Sequence, residues 1–451
     1  MDLTVKTLLK RQKRKKKLVN IIGGGLAGCE ATYQLAKRGV KVRLYEQKPI
    51  KFSLAHSNKN LAEIVCSNSL KSTDLATASG LLKAELELLD CLLLKIAKQV
   101  SVPAGSALAI DRDLFSQKVN EYISNMPNVE IVYGEVENLD FTEPTIIATG
   151  PLTSDKLAQS IKDLLGENSS LSFFDASAPI INGDTLDTQK TFTAGRYGKG
   201  ESDYINCPMN KEEYYNFINE LVNARRVELK EFENVNVFEG CMPIEIMASR
   251  GEDTLRFGPM RPVGLVDNNG QRPYAIVQLR KESNTNNLYN LVGFQTNLVF
   301  PEQKRVFSLI PALANAEFVK YGVMHRNSYI CAPKYLTQNF QVKQKNNIWF
   351  AGQISGVEGY VESIASGLVA ALSVYNHINK KPQVEWDTKT LIGALTTYIS
   401  TANENNFQPM NANFGILPPH DETIKDKKER KMAYTTRALK VMEQTIKQYN
   451  I

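Results

Sequence analysis

The chain opens its ordered pattern with a short apolar run, Val19-Asn20-Ile21-Ile22, that breaks at Gly23-Gly24-Gly25. An apolar helical stretch follows from Leu26 through Ala31, Leu35 and Ala36 and stops at Gly39. A second strand, Val40–Glu46, comes next and ends on an acid. This order predicts a buried strand, a glycine turn, a helix and a parallel neighbouring strand. Residues 61–100 read as helical, with the densest apolar pattern over Leu81–Leu89. Residues 113–126 read as a further helix and Val129–Val132 as a strand. Thr145–Ile147 reads as a short apolar strand running into Ala148-Thr149-Gly150. Between about 175 and 330 Asn, Tyr, Phe and Pro become frequent, and Ala275–Leu279 and Tyr289–Phe294 are plausible strands. Strand–turn–helix order then resumes: Asn347–Phe350, then Ala351-Gly352-Gln353, then a helix from Gly359 to about Ile378. The tail, 421–451, reads as helical and basic.

The first turn carries chemistry. Gly23, Gly25 and Gly28 have the spacing G-x-G-x-x-G between a strand and a helix. Gly23 permits the tight turn, Gly25 lets backbone approach a pyrophosphate, and Gly28 lets helix and strand pack closely. The helix start offers unpaired N–H groups and a positive dipole end to phosphates. Glu46, at the end of the second strand, is placed to accept ribose hydroxyls. The candidate cofactor-binding residues are therefore Gly23, Gly24, Gly25, Leu26, Ala27, Gly28 and Glu46, joined by Thr149, Gly150, Gly352 and Gln353 in the two later small-residue turns. No second G-x-G-x-x-G follows a strand, so a dedicated nicotinamide domain is not visible. The expected fold is α/β: a discontinuous Rossmann-like FAD-binding domain of the glutathione-reductase type, residues 18–175 and 331–451, with an α+β domain inserted over 176–330 and an arm over 1–17.

Composition narrows the class. With 451 residues and 43% hydrophobic content the chain can bury a large core, and no apolar run is long enough to span a bilayer. Its six cysteines, Cys29, Cys66, Cys91, Cys207, Cys241 and Cys331, form no C-x-x-C, and there are only four histidines. That argues against a disulfide scaffold and a zinc site, so no metal is expected, and it favours a reducing cytoplasm. The formal net charge is +6, yet residues 1–17 alone hold eight basic residues against Asp2. The basicity is thus concentrated in one arm, which suits a polyanion or is simply a solvated tail. The glycine turn, not an apolar stretch with a cleavage site, follows the arm, so it is a poor signal peptide.

Several blocks resemble the folate- and FAD-dependent RNA uracil-C5 methyltransferases, the TrmFO family: Gly23–Glu30, Ala62–Leu70, Val102–Ile110, Ala194–Gly198, Asp203–Met209, Phe257–Asp267, Gly322–Asn327, Gly356–Ser363 and Ala402–Gly415. They run over nearly the whole chain, whose length suits that family and is short for its larger relative, the MnmG (GidA) wobble-uridine modification protein. The basic arm is a departure from the family pattern. The resemblance implies that reduced FAD relays a one-carbon unit from 5,10-methylenetetrahydrofolate to uracil C5 in a structured RNA, with NADPH or NADH as reductant. The RNA is the tRNA T-loop or, as in some relatives, large-subunit rRNA. The alternatives are MnmG-type chemistry and a non-catalytic FAD-containing RNA-binding partner. A disulfide reductase is disfavoured by the missing C-x-x-C.

The resemblance also places Cys66 and Cys241 at the family's two catalytic cysteines. The chemistry needs such groups. Thiolate addition at uracil C6 makes C5 nucleophilic, and a second acid/base removes the C5 proton. Cys29, Cys91 and Cys331 read as small buried hydrophobes, and Cys207 is ambiguous. His325 beside Arg326 is either an anion contact or a packed histidine. Arg196 and Tyr197 are possible pterin or flavin contacts. Tyr204, Tyr214, Tyr215, Arg225 and Arg226 either stack bases or pack on helix faces.

Overall fold

The structure is a computed structural model that describes residues 17–53, 55–166, 170–198, 203–227, 242–283, 286–420 and 423–451. Its first run of elements is β1 (Leu18–Ile22), α1 (Leu26–Ala36), β2 (Lys41–Glu46), β3 (Ser69–Ser72), α2 (Ala78–Leu88), α3 (Leu92–Gln99), β4 (Ser101–Val102), β5 (Ala107–Ile110), α4 (Arg112–Ser124), β6 (Val129–Tyr133), β7 (Thr145–Ile147) and α5 (Asp155–Leu165). The middle holds β8 (Ser170–Ala176), β9 (Ile180–Asn182), β10 (Phe192–Thr193), β11 (Tyr204–Met209), α6 (Lys211–Asn223), α7 (Ile244–Ser249), β12 (Ala275–Lys281), β13 (Leu288–Leu291), α8 (Phe300–Phe307), β14 (Phe318–Lys320) and β15 (Met324–Ile330). The last run is α9 (Ala332–Tyr335), β16 (Ile348–Phe350), α10 (Tyr360–Asn379), α11 (Leu391–Thr401) and α12 (Lys427–Tyr449).

Two sheets organise these elements. Five parallel strands stand in the order β16–β7–β1–β2–β6. A strand covered on both faces needs apolar residues throughout, and β1 supplies them: Val19, Ile21 and Ile22 are buried, and Ile21 pairs with Leu44 and Ile146. α1 is buried along its whole length, with α10 packed across it. The crossing requires Gly367, where a Cβ would lie 2.2 Å from the Ala27 carbonyl oxygen. The second sheet is antiparallel, β10–β11–β12–β13–β9–β14. Each sheet has its own hydrophobic core: one drawn from residues up to Leu165 and from Tyr329 onward, the other from Ala178–Ala316. The antiparallel pair β8 and β15 joins the two.

The expected α/β fold is present, with three local differences. Residues 61–77 are not helical. Ala62 and Lys71 adopt left-handed backbone, Ser69–Ser72 pairs as β3, and the first helix of that stretch begins at Ala78 behind the Thr77 cap. The strand expected over Tyr289–Phe294 ends at Leu291, because Gly293 turns the chain with φ +79° and Phe294 N–H closes onto Leu291. The terminal helix starts at Lys427, where the Asp426 side chain accepts the N–H groups of Lys428 and Glu429.

Candidate active site

Parallel strands deliver their C-terminal ends to one edge, and a cleft opens there to solvent. Ile22 at the end of β1 and Gly23 after it, Tyr45 and Glu46 at the end of β2, Gly134 after β6, Ala148–Gly150 after β7, and Gly352 and Gln353 after β16 line it. Gly24, Gly25, Leu26 and Ala27 form its floor at the start of α1. Ten of the eleven expected cofactor residues are thus brought to one cavity. Gly28 does not line it. A Cβ there would sit 1.8 Å from the Gly23 carbonyl oxygen, so Gly28 acts by letting α1 pack onto the turn.

Two details fit a dinucleotide. A Cβ on Gly25 would meet nothing within 4 Å, so bare backbone faces open space at the start of α1. Glu46 is buried, and its carboxylate is fixed from behind: Oε2 accepts the Gly24 N–H at 2.8 Å and Oε1 the Lys48 N–H at 2.9 Å. Each oxygen keeps lone-pair capacity for a hydroxyl. On the far wall the Gly352 N–H donates to Ser366 Oγ at 2.7 Å, and Gln353 reaches Glu358 at 2.6 Å. Thr149 and Thr153 share a hydroxyl contact at 2.6 Å. The residues present therefore suit FAD.

Val65 and Tyr360 line the cleft, and Cys66, which follows Val65 in the chain, does not itself line it. Cys66 is in a loop, and among the five described cysteines it alone is not buried. Its N–H donates to Tyr360 Oη at 2.9 Å, and the Ser67 N–H does so at 3.1 Å. The thiol faces the Ala176 carbonyl at 3.6 Å. Arg112 grips the other side of the loop, donating to the carbonyls of Ile64, Val65 and Cys66 at 3.2, 3.3 and 3.2 Å. Burial alone would lower the guanidinium pKa, but the Glu282 carboxylate at 2.6 Å outweighs it and holds the pKa above its ordinary value. Burial, and then the Cys66 charge, push the Tyr360 phenol well above its usual range, so it remains a neutral hydroxyl. Lys320 is the nearby cation that the sequence did not single out. Its pKa is lowered by burial and then by the Arg112 charge, and Cys66 is among the groups that face it.

Three further cleft residues also escaped sequence reading. Lys48 and Glu63 form a buried ion pair at 3.1 Å, with His56 alongside in the lining. Burial would raise the Glu63 pKa, but the Ser57 and Asn58 N–H groups and Lys48 outweigh it and hold the carboxyl low. Tyr360 and Ser363 belong to the Gly356–Ser363 block, which was the available signal for them.

The other expected residues lie elsewhere. Cys29, Cys91, Cys207 and Cys331 are buried, and burial pushes the Cys207 thiol up to about 12. Arg196 is tied to Gln278 at 3.0 Å and to the Val263 carbonyl at 2.8 Å, and Tyr197 stands 64% exposed; neither lines the cleft. Tyr214 is core, while Tyr215 shares a 2.8 Å hydroxyl contact with Tyr274, on whose ring Arg256 stacks at 3.6 Å. Cys241, the basic residues of 1–16 and the side chains of His325 and Arg326 lie outside what the structure describes. Among the described residues no group of three or more His, Cys, Asp or Glu could hold a metal ion, and no helix is long and apolar enough to cross a membrane.

Comparison with known proteins identifies the family and the fold. The family model described as "Glucose inhibited division protein A" matches residues 18–382. The chain is 54% identical to the methylenetetrahydrofolate–tRNA-(uracil-5-)-methyltransferase TrmFO of Acetivibrio thermocellus, over 96% of this chain and 99% of that protein. It is 53% identical to the protein of the same name from Natranaerobius thermophilus, over 95% and 99%. Among solved structures it resembles Aquifex aeolicus GidA with TM-score 0.69 at 15% identity, covering 95% of this chain and 75% of that one, a likeness of fold. The chain belongs to the TrmFO family.

Proposed function

We propose that this chain is a flavoprotein that transfers a one-carbon unit from 5,10-methylenetetrahydrofolate to C5 of a tRNA uridine, leaving a methyl group, with FAD in the cleft and NADPH or NADH as the electron source. The observation that carries this reading is the placement of the Cys66 loop. Val65 and Tyr360 line the flavin cleft, and the Tyr360 hydroxyl takes the backbone N–H groups of Cys66 and Ser67. When bound, FAD would supply the electrons that convert a methylene into a methyl group.

The chain's own residues have a defined task. Thiolate addition forms a sulfur–C6 bond and moves the electron pair of the C5=C6 double bond onto C5 and O4. C5 then bonds to the carbon of the one-carbon unit. A base takes the C5 hydrogen as a proton, and the electron pair left behind breaks the bond between that carbon and the nitrogen that carried it, so the nitrogen leaves with its electrons. A hydride equivalent from the reductant would then convert the methylene into methyl, with the C5=C6 double bond restored as the thiolate is expelled. Cys66 and Cys241 divide these two roles. Lys320 has no side-chain hydrogen-bond partner among the described residues, and its ammonium offers positive charge near the thiol for an enolate oxygen or a phosphate. The wobble-uridine alternative is not favoured. The relatives at 53 and 54% identity carry the uracil-5 name, whereas the GidA likeness, at 15%, is one of fold. The basic arm is the one feature that keeps ribosomal RNA as a target.

The test is methyl transfer from isotope-labelled 5,10-methylenetetrahydrofolate to an unmodified tRNA transcript, with NADPH or NADH present. Label should appear at uridine C5. Cys66→Ala and Cys241→Ala should each retain flavin and lose turnover. Wild-type turnover in either variant removes that cysteine from the mechanism, and label confined to a large-subunit rRNA fragment would move the target.

A further inference from the structure

The end of β12 is stitched to the Cys66 loop, although the two belong to different sheets. Arg280 donates to Asn68 Oδ1 at 2.7 Å and to Ser67 Oγ at 2.7 Å. Asn68, fully buried, donates in turn to the Lys281 carbonyl at 3.0 Å and the Ile110 carbonyl at 3.1 Å. Glu282, the next residue, holds Arg112 through both carboxylate oxygens, Nε to Oε2 at 2.6 Å and Nη2 to Oε1 at 3.3 Å. The remaining guanidinium hydrogens reach the carbonyls of Ile64, Val65 and Cys66. Three consecutive carbonyls thus curl around one planar cation whose orientation is set from the antiparallel unit.

We infer that Arg112 and Glu282 are positioning residues for Cys66, and that through them the docking of the antiparallel unit fixes the cysteine loop beside the cleft. The inference rests on the reading of Cys66 as a reacting thiol. Its physical basis is complementarity of two grips. Tyr360 holds the loop by its N–H groups, and Arg112 holds it by its carbonyls. With both in place the Cys66 backbone has little freedom to rotate. An ion pair that only joined two domains would not need three loop carbonyls as ligands. Lysine cannot substitute, because an ammonium has three donors on one atom and no planar fork to serve a carboxylate and three carbonyls together. Neither Arg112 nor Glu282 lines the cleft, so their loss should leave the flavin in place.

The test compares the wild-type holoenzyme with Arg112→Lys and Glu282→Gln. Glu282→Gln keeps size and an acceptor oxygen, so it decides the matter if Arg112→Lys fails to fold. Hydrogen exchange read by mass spectrometry on peptides spanning 64–68 should become at least about tenfold faster, with peptides of β1 and α1 unchanged. kcat for methyl transfer should fall by about tenfold or more, while the KM values for RNA and folate stay within about threefold and flavin content is unchanged. Unaltered exchange in the 64–68 peptides of Glu282→Gln overturns the inference. So does faster exchange with wild-type kcat, and so does a loss of kcat that comes only with loss of flavin and faster exchange throughout. Cys66→Ala, assayed in parallel, decides the underlying reading by itself: if it keeps turnover, Cys66 is not the reacting thiol, whatever the exchange shows about the grip on its loop.

Discussion

Gly25 and Gly28 stand three residues apart in one motif, yet the structure assigns their substitution opposite consequences. Gly25 has φ −77° and ψ −168°, which alanine adopts without strain, and its Cβ would meet nothing within 4 Å. Gly25→Ala should therefore change the stability of the flavin-free protein by no more than about 1 kcal/mol. The lower entropy of the unfolded chain favours the variant by roughly 0.4–1 kcal/mol, and the poorer helix cap offsets a similar amount. Flavin binding should respond differently. A methyl group at the start of α1 would stand where, on the proposed reading, a pyrophosphate meets bare N–H groups. Losing two charge-assisted hydrogen bonds, at roughly 1.5–3 kcal/mol each, weakens FAD by about 3–6 kcal/mol, or two to four decades in Kd. Gly25→Val should abolish binding. Gly28→Ala places a Cβ 1.8 Å from the Gly23 carbonyl oxygen, and α1 must move off the turn. Overpacking of that severity destabilises by about 3 kcal/mol or more before any ligand is added. The assay is flavin absorbance per chain after native purification, then fluorescence titration of flavin-stripped protein with FAD, with denaturant unfolding of the stripped form as control. Wild-type flavin content in Gly25→Ala would refute the phosphate role, and equal destabilisation of stripped Gly25→Ala and Gly28→Ala would refute the steric division between them.

Two further outcomes follow from charge. Deleting residues 1–17 should weaken RNA binding and flatten the slope of log K against log salt by roughly 0.7–0.9 for each phosphate that the arm neutralises, with flavin content unchanged; an identical slope would show the arm to be a bystander. Lys83 is buried, donates to the Ser72 and Ser79 carbonyls at 2.9 and 3.1 Å, and has its pKa lowered by burial to about 8 from the ordinary 10.5. Between those values the unfolded chain binds more protons than the folded one, so this residue's contribution to stability rises with pH through the window and is lost as pH falls through it to about 8. Measured by denaturant unfolding, the stability of wild type relative to Lys83→Met should increase by roughly 2–3 kcal/mol from pH 7.5 to 10, and a difference flat in pH would refute the assignment.

The part of the site that could be read from sequence is the part fixed by local sterics. Gly23 turns the chain at φ +104°, Gly28 admits a neighbouring carbonyl, and Glu46 ends a strand whose parallel register with β1 follows from two apolar runs. Each constraint lies within one strand–turn–helix–strand unit, so residue type and spacing suffice to express it. The Cys66 loop is the opposite case. Its apolar residues Leu61, Ile64 and Leu70 are buried, which is why the stretch resembles a helix in hydrophobic pattern. A helix, however, would satisfy its own N–H and C=O groups, whereas here those groups are taken up from outside. Arg112 lies 46 residues from Cys66, and Tyr360 lies 294 away. No periodicity reports partners at that separation. The same arrangement explains why the segment gave up regular structure. A cysteine within a helix would have its own N–H and C=O committed to the helical ladder, and the neighbouring turns would crowd its thiol. In a loop held at its N–H groups by Tyr360 and at its carbonyls by Arg112, the backbone polar groups find partners while the thiol stays partly exposed. Regularity is replaced by long-range hydrogen bonds at the place where the proposed chemistry calls for an accessible sulfur.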